Sequence, residues 1–184
     1  MKRFVFAWLL PAAVAMSAEP AAWWNAMLTE CRSLAAKSAA SASAQPRLDF
    51  GRSDFTIMAW VTTTHGGTIL AKAPASGPWV PQGKTLFVRD GHVVFDIGWV
   101  GNITSRQPVA NGKRHHVALV SRGGGQRVFV DGVPDAAGRL RAEPDRAAWV
   151  VKLGRTADNF GGDFQGTLED VRLYASALSD AEVK

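Results

Sequence analysis

Between residues 48 and 174 the chain is a succession of short alternating segments divided by turn dipeptides, with no long helical pattern between them. Alternation puts successive side chains on opposite faces of a strand. Such a chain buries its apolar faces by stacking sheets. Asp54-Phe-Thr-Ile-Met-Ala-Trp-Val61 sets Phe55, Ile57, Ala59 and Val61 on one face and Met58 and Trp60 on the other, which predicts a central strand covered on both sides. Thr68–Lys72 is a second strand, followed by a long loop over 73–83 stiffened by Pro74, Pro78 and Pro81. Lys84–Arg89 and His92–Asp96 flank Asp90-Gly91, a two-residue hairpin signal. Asn111-Gly112 precedes Lys113–Val120, and Asp131-Gly132 follows Gln126–Val130. Ala147–Leu153 and Asp163–Tyr174 complete the strands. The expected core is Phe55, Ile57, Phe95, Val117, Leu119, Phe129, Leu153, Leu168, Val171 and Leu173, with Trp60 and Trp149. A short helical turn is expected over 176–183, capped by Ser179 and Glu182. The fold class is all-β, an antiparallel two-sheet jelly-roll sandwich.

The ends read differently. Lys2 and Arg3, the apolar Phe4–Leu10 and small residues up to Ala18 have the form of an export signal, assigned to 1–18 with cleavage after Ala18. The apolar run is short for a membrane span, which needs about 20 residues, so no stable span is expected after cleavage. The exported chain is placed as secreted, periplasmic or on the cell surface. Residues 19–47 form a helix and an Ala/Ser linker: Trp23, Trp24, Met27, Leu28, Cys31, Leu34 and Ala35 recur at spacings of three and four over 21–40. The domain proper is 48–184. Cys31 is the sole cysteine, so no disulfide can form within the chain. The net charge of +5 falls to +3 without Lys2 and Arg3. That mild excess, without aromatic residues interleaved among basic ones, gives no nucleic-acid partner.

The segments, in their order, resemble the laminin-G-like, concanavalin-A-like jelly-roll domains of bacterial exported proteins. The resemblance rests on Asp54–Val61, on Arg114–Val120 after its Asn-Gly turn, and on Val128-Phe-Val-Asp-Gly132. Leu153-Gly154, the closing Phe164–Tyr174 and the tail Leu178–Glu182 extend it. It covers roughly residues 48–183 and implies the fold more strongly than a function. Two departures stand out. Arg114 occupies a position where the family usually carries tryptophan, and the first strand is compressed to Leu48-Asp-Phe50 with Gly51. In this fold the first strand pairs beside the last, so a stunted strand leaves an edge in need of cover. The 21–40 helix is the expected cover.

Few residues suggest chemistry. Glycosidases need two carboxyl groups about 5–9.5 Å apart across the scissile bond. The sandwich-type glucanases similar in architecture share a Glu-x-Asp-x-x-Glu strand, and no such spacing occurs here. Glu169 and Asp170 are adjacent and diverge on a strand, as do His115 and His116, which argues against a carboxylate pair and a zinc site. No serine sits in a Gly-x-Ser-x-Gly elbow. Related domains sometimes hold calcium at a sandwich rim, and Asp158, Asn159 and Asp163 offer three oxygen ligands on a glycine-rich loop. Asp96 or Asp135 is expected to approach from a neighbouring loop. The alternative is a polar turn capped by its own side chains. Trp79, in the proline-braced loop, and Trp99, beside Asn102, are the expected ligand-binding platform if exposed, and end-caps of the core if buried. Arg139, Arg141 and Arg146 form a basic cluster that suits acidic glycans or simple solvation.

These features point to a non-catalytic binding or adhesion module for carbohydrate or a surface protein, with no enzyme activity and calcium as the one cofactor in question. The alternatives are a structural accessory domain with no ligand of its own and a degenerate glycoside hydrolase.

Overall fold

A computed structural model describes residues 22–24 and 49–184. The export signal, Cys31, the Ala/Ser linker and the remainder of the expected 21–40 helix lie outside the described residues. The order is β1 (Ala22–Trp24), β2 (Phe55–Ala73), β3 (Lys84–Arg89), β4 (His92–Ile97), β5 (Gly101–Pro108), β6 (Arg114–Arg122), β7 (Gly125–Val130), β8 (Val133–Gly138), β9 (Val150–Leu153) and β10 (Gln165–Tyr174). All strand pairs are antiparallel. One sheet runs β1-β10-β2-β6-β7-β8 and the other β9-β2-β3-β4-β5, with β2 shared by both.

The shared strand merges two segments expected as separate strands. Its first half pairs with β6 and β10, and its second half with β3 and β9. The crossover falls at Gly66 and Gly67, at φ 122° and 114°. A Cβ on Gly67 would lie 2.3 Å from the Asp163 carbonyl oxygen, so only glycine allows the passage. Across the sandwich, Ile57, Ala59, Val61, Val117, Leu119, Val128, Leu168 and Leu173 of one sheet meet Ile69, Leu86, Val93, Phe95, Ile97, Val151 and Leu153 of the other. Each fully buried aliphatic or aromatic side chain contributes about 1.5–3 kcal/mol. Phe50 stacks on Phe55 at 4.3 Å between ring centroids and closes one end. At the opposite margins β5 and β8 approach each other. Asp135 accepts the backbone N–H groups of Arg106 and Gln107, and Gly138 leaves room for Ile103. The two sheets therefore nearly close.

The expected core residues other than Trp60 are buried. Phe129 serves a second cluster on the outer face of the β6 sheet, where it packs with Met58, Ala118 and Val120 beneath Tyr174, Leu178 and Val183. The C-terminal tail is fastened there. Thr56 Oγ1 donates to the Ser176 carbonyl (2.9 Å) and accepts the Leu178 N–H (3.0 Å). The Ser179 N–H and hydroxyl both donate to Glu182 Oε2, the Glu182 half of the expected cap, while the Glu182 N–H goes to the Ser179 carbonyl in a turn over 180–182 and no helix forms.

The edge of β10 is covered differently from expectation. Ala22–Trp24 pairs with Val171–Leu173 as a strand, not a helix. The helical spacing of 21–40 therefore yields, at these three residues, to backbone pairing with an otherwise open edge.

Candidate functional site

The two tryptophans of the expected platform have opposite fates. Trp79 is buried at 8% exposure, which corrects its expected place on the surface. Its ring stacks on Phe160 (5.1 Å, 6° between planes), and its backbone N–H donates to Asn159 Oδ1 at 2.8 Å. Gly83 and Gly98 make this possible: a Cβ on Gly83 would sit 2.7 Å from the indole, and one on Gly98 2.3 Å from the Val80 carbonyl oxygen. Those two glycines were the available sequence signal for a buried ring.

Trp99 is 75% exposed. It lies in the β4–β5 turn, closed by the Val100 N–H to the Ile97 carbonyl at 2.8 Å, with φ at 59°. Left-handed φ costs a non-glycine residue about 1–2 kcal/mol, and no burial of the ring offsets it. Asn102, at the start of β5, is also exposed; its Oδ1 accepts the Thr104 hydroxyl at 3.2 Å. Opposite it in register stands Asp96 on β4. Burial pushes the Asp96 carboxyl up, against a hydrogen bond from Trp79 and the charge of Arg89. Asp96 Oδ1 and His92 Nδ1 are buried without a hydrogen-bond partner among the described residues.

The loop proposed for calcium is differently organised. Arg155 reaches Asp158 Oδ1 at 3.1 Å and Asp163 Oδ1 at 3.7 Å, and Asn159 Oδ1 is taken by Trp79. The three oxygen-bearing side chains thus come together around a guanidinium and a backbone amide. Asp135 is engaged with β5, and Asp96 on β4 accepts from the Trp79 side chain. Among the described residues no group of three or more His, Cys, Asp or Glu is arranged to hold a metal.

The adjacent acids and histidines are tied into the sheet. Glu169 Oε2 accepts from Arg114 Nε at 2.9 Å, and the Arg114 guanidinium lies 3.7 Å from the Trp60 ring centroid. Arginine in the family's tryptophan position therefore covers Trp60 by stacking, and Trp60 is half-buried on the outer face instead of in the core. Asp170 sits on a bulge of β10 at φ 49° and binds Arg172 through both oxygens. His115 lies 2.9 Å from Asp131 Oδ2 and 3.1 Å from Asn111 Oδ1. His116 packs on Trp60 at 5.0 Å. Burial holds the His116 imidazole below its ordinary value, although Asp131 and Asp170 pull it up.

A cavity of about 450 Å³ opens where residues 50–54, the β6–β7 hairpin and residues 139–142 meet. It brings Arg139 and Arg141 of the sequence cluster together with Arg52. Arg146 instead lies over Trp149, 6.0 Å from its centroid. Arg52 was missed because it stands far from the other two in sequence. Strand spacing carries no signal for a cavity built from three connections.

No curated protein matches the chain in sequence. The chain is similar in structure to the Ruminococcus gnavus IT-sialidase CBM40 bound to alpha2,3-sialyllactose (TM-score 0.59, 18% identity, 74% of this chain and 89% of that one). It is also similar to domain 4 of AbnA, a GH43 extracellular arabinanase from Geobacillus stearothermophilus, in complex with arabinotriose (0.54, 21%, 73% and 68%). A third likeness is to the binding domain of Paraclostridial mosquitocidal protein 1 (0.55, 16%, 73% of this chain), of which the chain spans 37%. At these identities the likeness is one of fold. The family model of the concanavalin A-like lectin/glucanases superfamily, laminin-G type, matches residues 36–184, and the chain belongs to that superfamily.

Proposed function

We propose that the chain is an exported, non-catalytic carbohydrate-binding module built on a jelly-roll sandwich. Trp99 carries the reading: a large ring held in water at 75% exposure, on a backbone conformation that disfavours it. Strain without a packing return marks a residue kept for what it presents to a partner. A flat indole beside the amide of Asn102 suits the apolar face and hydroxyls of a sugar. The likeness to a CBM40 bound to alpha2,3-sialyllactose and to an arabinanase domain in complex with arabinotriose supports this choice among binding partners.

The absence of catalysis is part of the proposal. Glu169 and Asp170 are each committed to an arginine. Calcium is given no role in binding, because Arg155 already balances Asp158 and Asp163. Export rests on the form of residues 1–18. The burial of Trp79 favours the rival reading, an accessory domain without a ligand, because it halves the aromatic platform.

A glycan array probed with the exported form, with calcium and again with chelator, tests the reading. It expects a saccharide subset bound equally in both conditions and lost in Trp99→Ala. Binding abolished by chelator would return the site to the Asp158–Asp163 loop. Silence across the array would favour the accessory domain.

A further inference from the structure

The arginine cavity has the chemistry of a site. Its volume, about 450 Å³, lies within the range of about 300–1,000 Å³ usual for small-ligand pockets. Phe50 and Leu140 give it an apolar lining, and Arg52, Arg139 and Arg141 make it cationic. The carboxylate among its lining residues, Asp54, is engaged by the Gly123 N–H at 2.8 Å. The arginines are incompletely used. Arg139 donates one N–H to the Gly123 carbonyl at 3.1 Å. Arg52 stands 3.9 Å from Asp49, a carboxylate already occupied by three backbone N–H groups. Arg141 has no ion pair or hydrogen bond among the described residues. A guanidinium offers five donors and keeps its charge at any ordinary pH.

The walls are fixed from beneath. Gln126, 3% exposed, accepts the Leu140 N–H at 2.8 Å and donates to the Gly124 carbonyl at 3.2 Å. One buried amide thus sets the spacing between the glycine turn and the arginine-bearing segment. A Cβ on Gly123 would meet nothing within 4 Å, so the approach on that side is open. Leu140 also faces the Trp99 hairpin, its Cδ2 3.5 Å from where a Cβ on Gly101 would stand. The cavity and the hairpin therefore share a wall.

We propose that this cavity holds the acid-bearing residue of an anionic saccharide. Its carboxylate or sulfate sits between Arg139 and Arg141, and its apolar ring face lies against the half-buried Leu140. The inference rests on the carbohydrate-binding reading and adds the class of sugar and a second contact region. The arginine fork matches carboxylate and sulfate oxygens in pairs. Nucleic acid is disfavoured because the aromatic ring in the cavity, Phe50, is buried, whereas base stacking needs exposed rings.

The test is calorimetric titration of the full chain with oligogalacturonate, a heparin-derived oligosaccharide, a neutral galacto-oligosaccharide and inorganic sulfate. The expected result is tighter binding of one or both acidic oligosaccharides than of the neutral one, weakening as salt rises. Arg139→Ala/Arg141→Ala weakens it about tenfold or more, while Lys113→Ala, removing an exposed charge elsewhere, leaves it unchanged. Oligogalacturonate carries carboxylate alone, so tight binding of it assigns the carboxylate; tight binding of the heparin oligosaccharide alone, which carries both groups, assigns the sulfate. Thermal melts of both variants, which change three side chains in all, must stay at the wild-type midpoint for the comparison. Neutral and acidic sugars binding alike, with no effect of the double variant, overturns this inference and leaves the carbohydrate reading standing. Equal loss in Lys113→Ala overturns it in favour of general charge attraction. Sulfate alone binding as tightly as the oligosaccharides overturns the sugar contact. No saccharide bound at all overturns both readings.

Discussion

The Lys84 ammonium lies 2.6 Å from Asp145 Oδ1, and the two side chains are 0% and 5% exposed. Lys84 begins β3 and points inward, where it also donates to the Glu143 carbonyl (2.8 Å) and faces the Trp149 ring at 5.3 Å. Asp145 Oδ2 accepts the Phe50 N–H at 2.8 Å, and the Asp145 N–H goes to Asp49 at 2.9 Å. One buried ion pair thus binds the segment before β9 to β3 and to residues 49–50, beside the arginine cavity. Removing one partner strands a buried charge. Asp145→Ala should cost about 3–5 kcal/mol in urea unfolding, and Lys84→Met/Asp145→Ala should recover much of the loss. A single variant within about 1 kcal/mol of wild type would show that the pair is solvated.

The two tryptophans predict opposite phenotypes. Trp79→Ala removes a buried ring between Gly83, Gly98 and Phe160 and should destabilise by about 3–5 kcal/mol. Trp99→Gly relieves a left-handed φ and should stabilise by about 1 kcal/mol. Urea unfolding of the two variants checks both, and a destabilised Trp99→Gly would mean that the exposed ring does pack.

Much of the fold was legible because its signals are local. Asp90-Gly91 and Asp131-Gly132 turn where expected, with φ of 53° and 86°, and of 53° and 75°. Strand alternation found the inward residues of β2, β4 and β6. What escaped depends on distant partners. Nothing near Gly66-Gly67 says that β2 continues into a second sheet. The β5 run Gly101–Pro108 is too polar to read as a strand until Ile103 finds Gly138. Nothing near Lys84 marks it as buried, because its partner Asp145 lies far along the chain. The site was less legible still. The exposure of Trp99 and Asn102 agrees with their place off the strand patterns, but the arginine cavity gathers Arg52, Arg139 and Arg141 only in three dimensions.

His116 should make stability depend on pH. Burial lowers its imidazole; Asp131 and Asp170 oppose that, while Arg172 and Arg114 reinforce it. The unfolded chain therefore takes up a proton near pH 6.5, about the free histidine value, before the folded chain does. Stability from this residue is complete above that pH and is lost as pH falls toward the folded value. The melting temperature should drop between about pH 7 and about pH 5, and the drop should be shallower in His116→Phe. Identical profiles would exclude His116 as the cause.

Asp96 works in the opposite sense. Burial raises its carboxyl, so the fold favours the protonated form and loses that stability as pH rises through the folded value. Its Oδ1 is buried without a partner among the described residues. Asp96→Asn keeps the shape and removes the charge. It should raise stability at neutral pH by about 1 kcal/mol, with the gain shrinking in acid. A less stable Asp96→Asn at neutral pH would mean that the carboxylate is satisfied in solution.

The most direct test of the account is a binding isotherm of the strongest array saccharide against the wild-type chain and Trp99→Ala, with melting curves of both. A carbohydrate-binding module presenting Trp99 predicts equal or higher melting temperature and affinity lower by about tenfold or more, since burying an aromatic side chain's apolar surface contributes about 1.5–3 kcal/mol. Unchanged affinity in a folded Trp99→Ala would contradict the account.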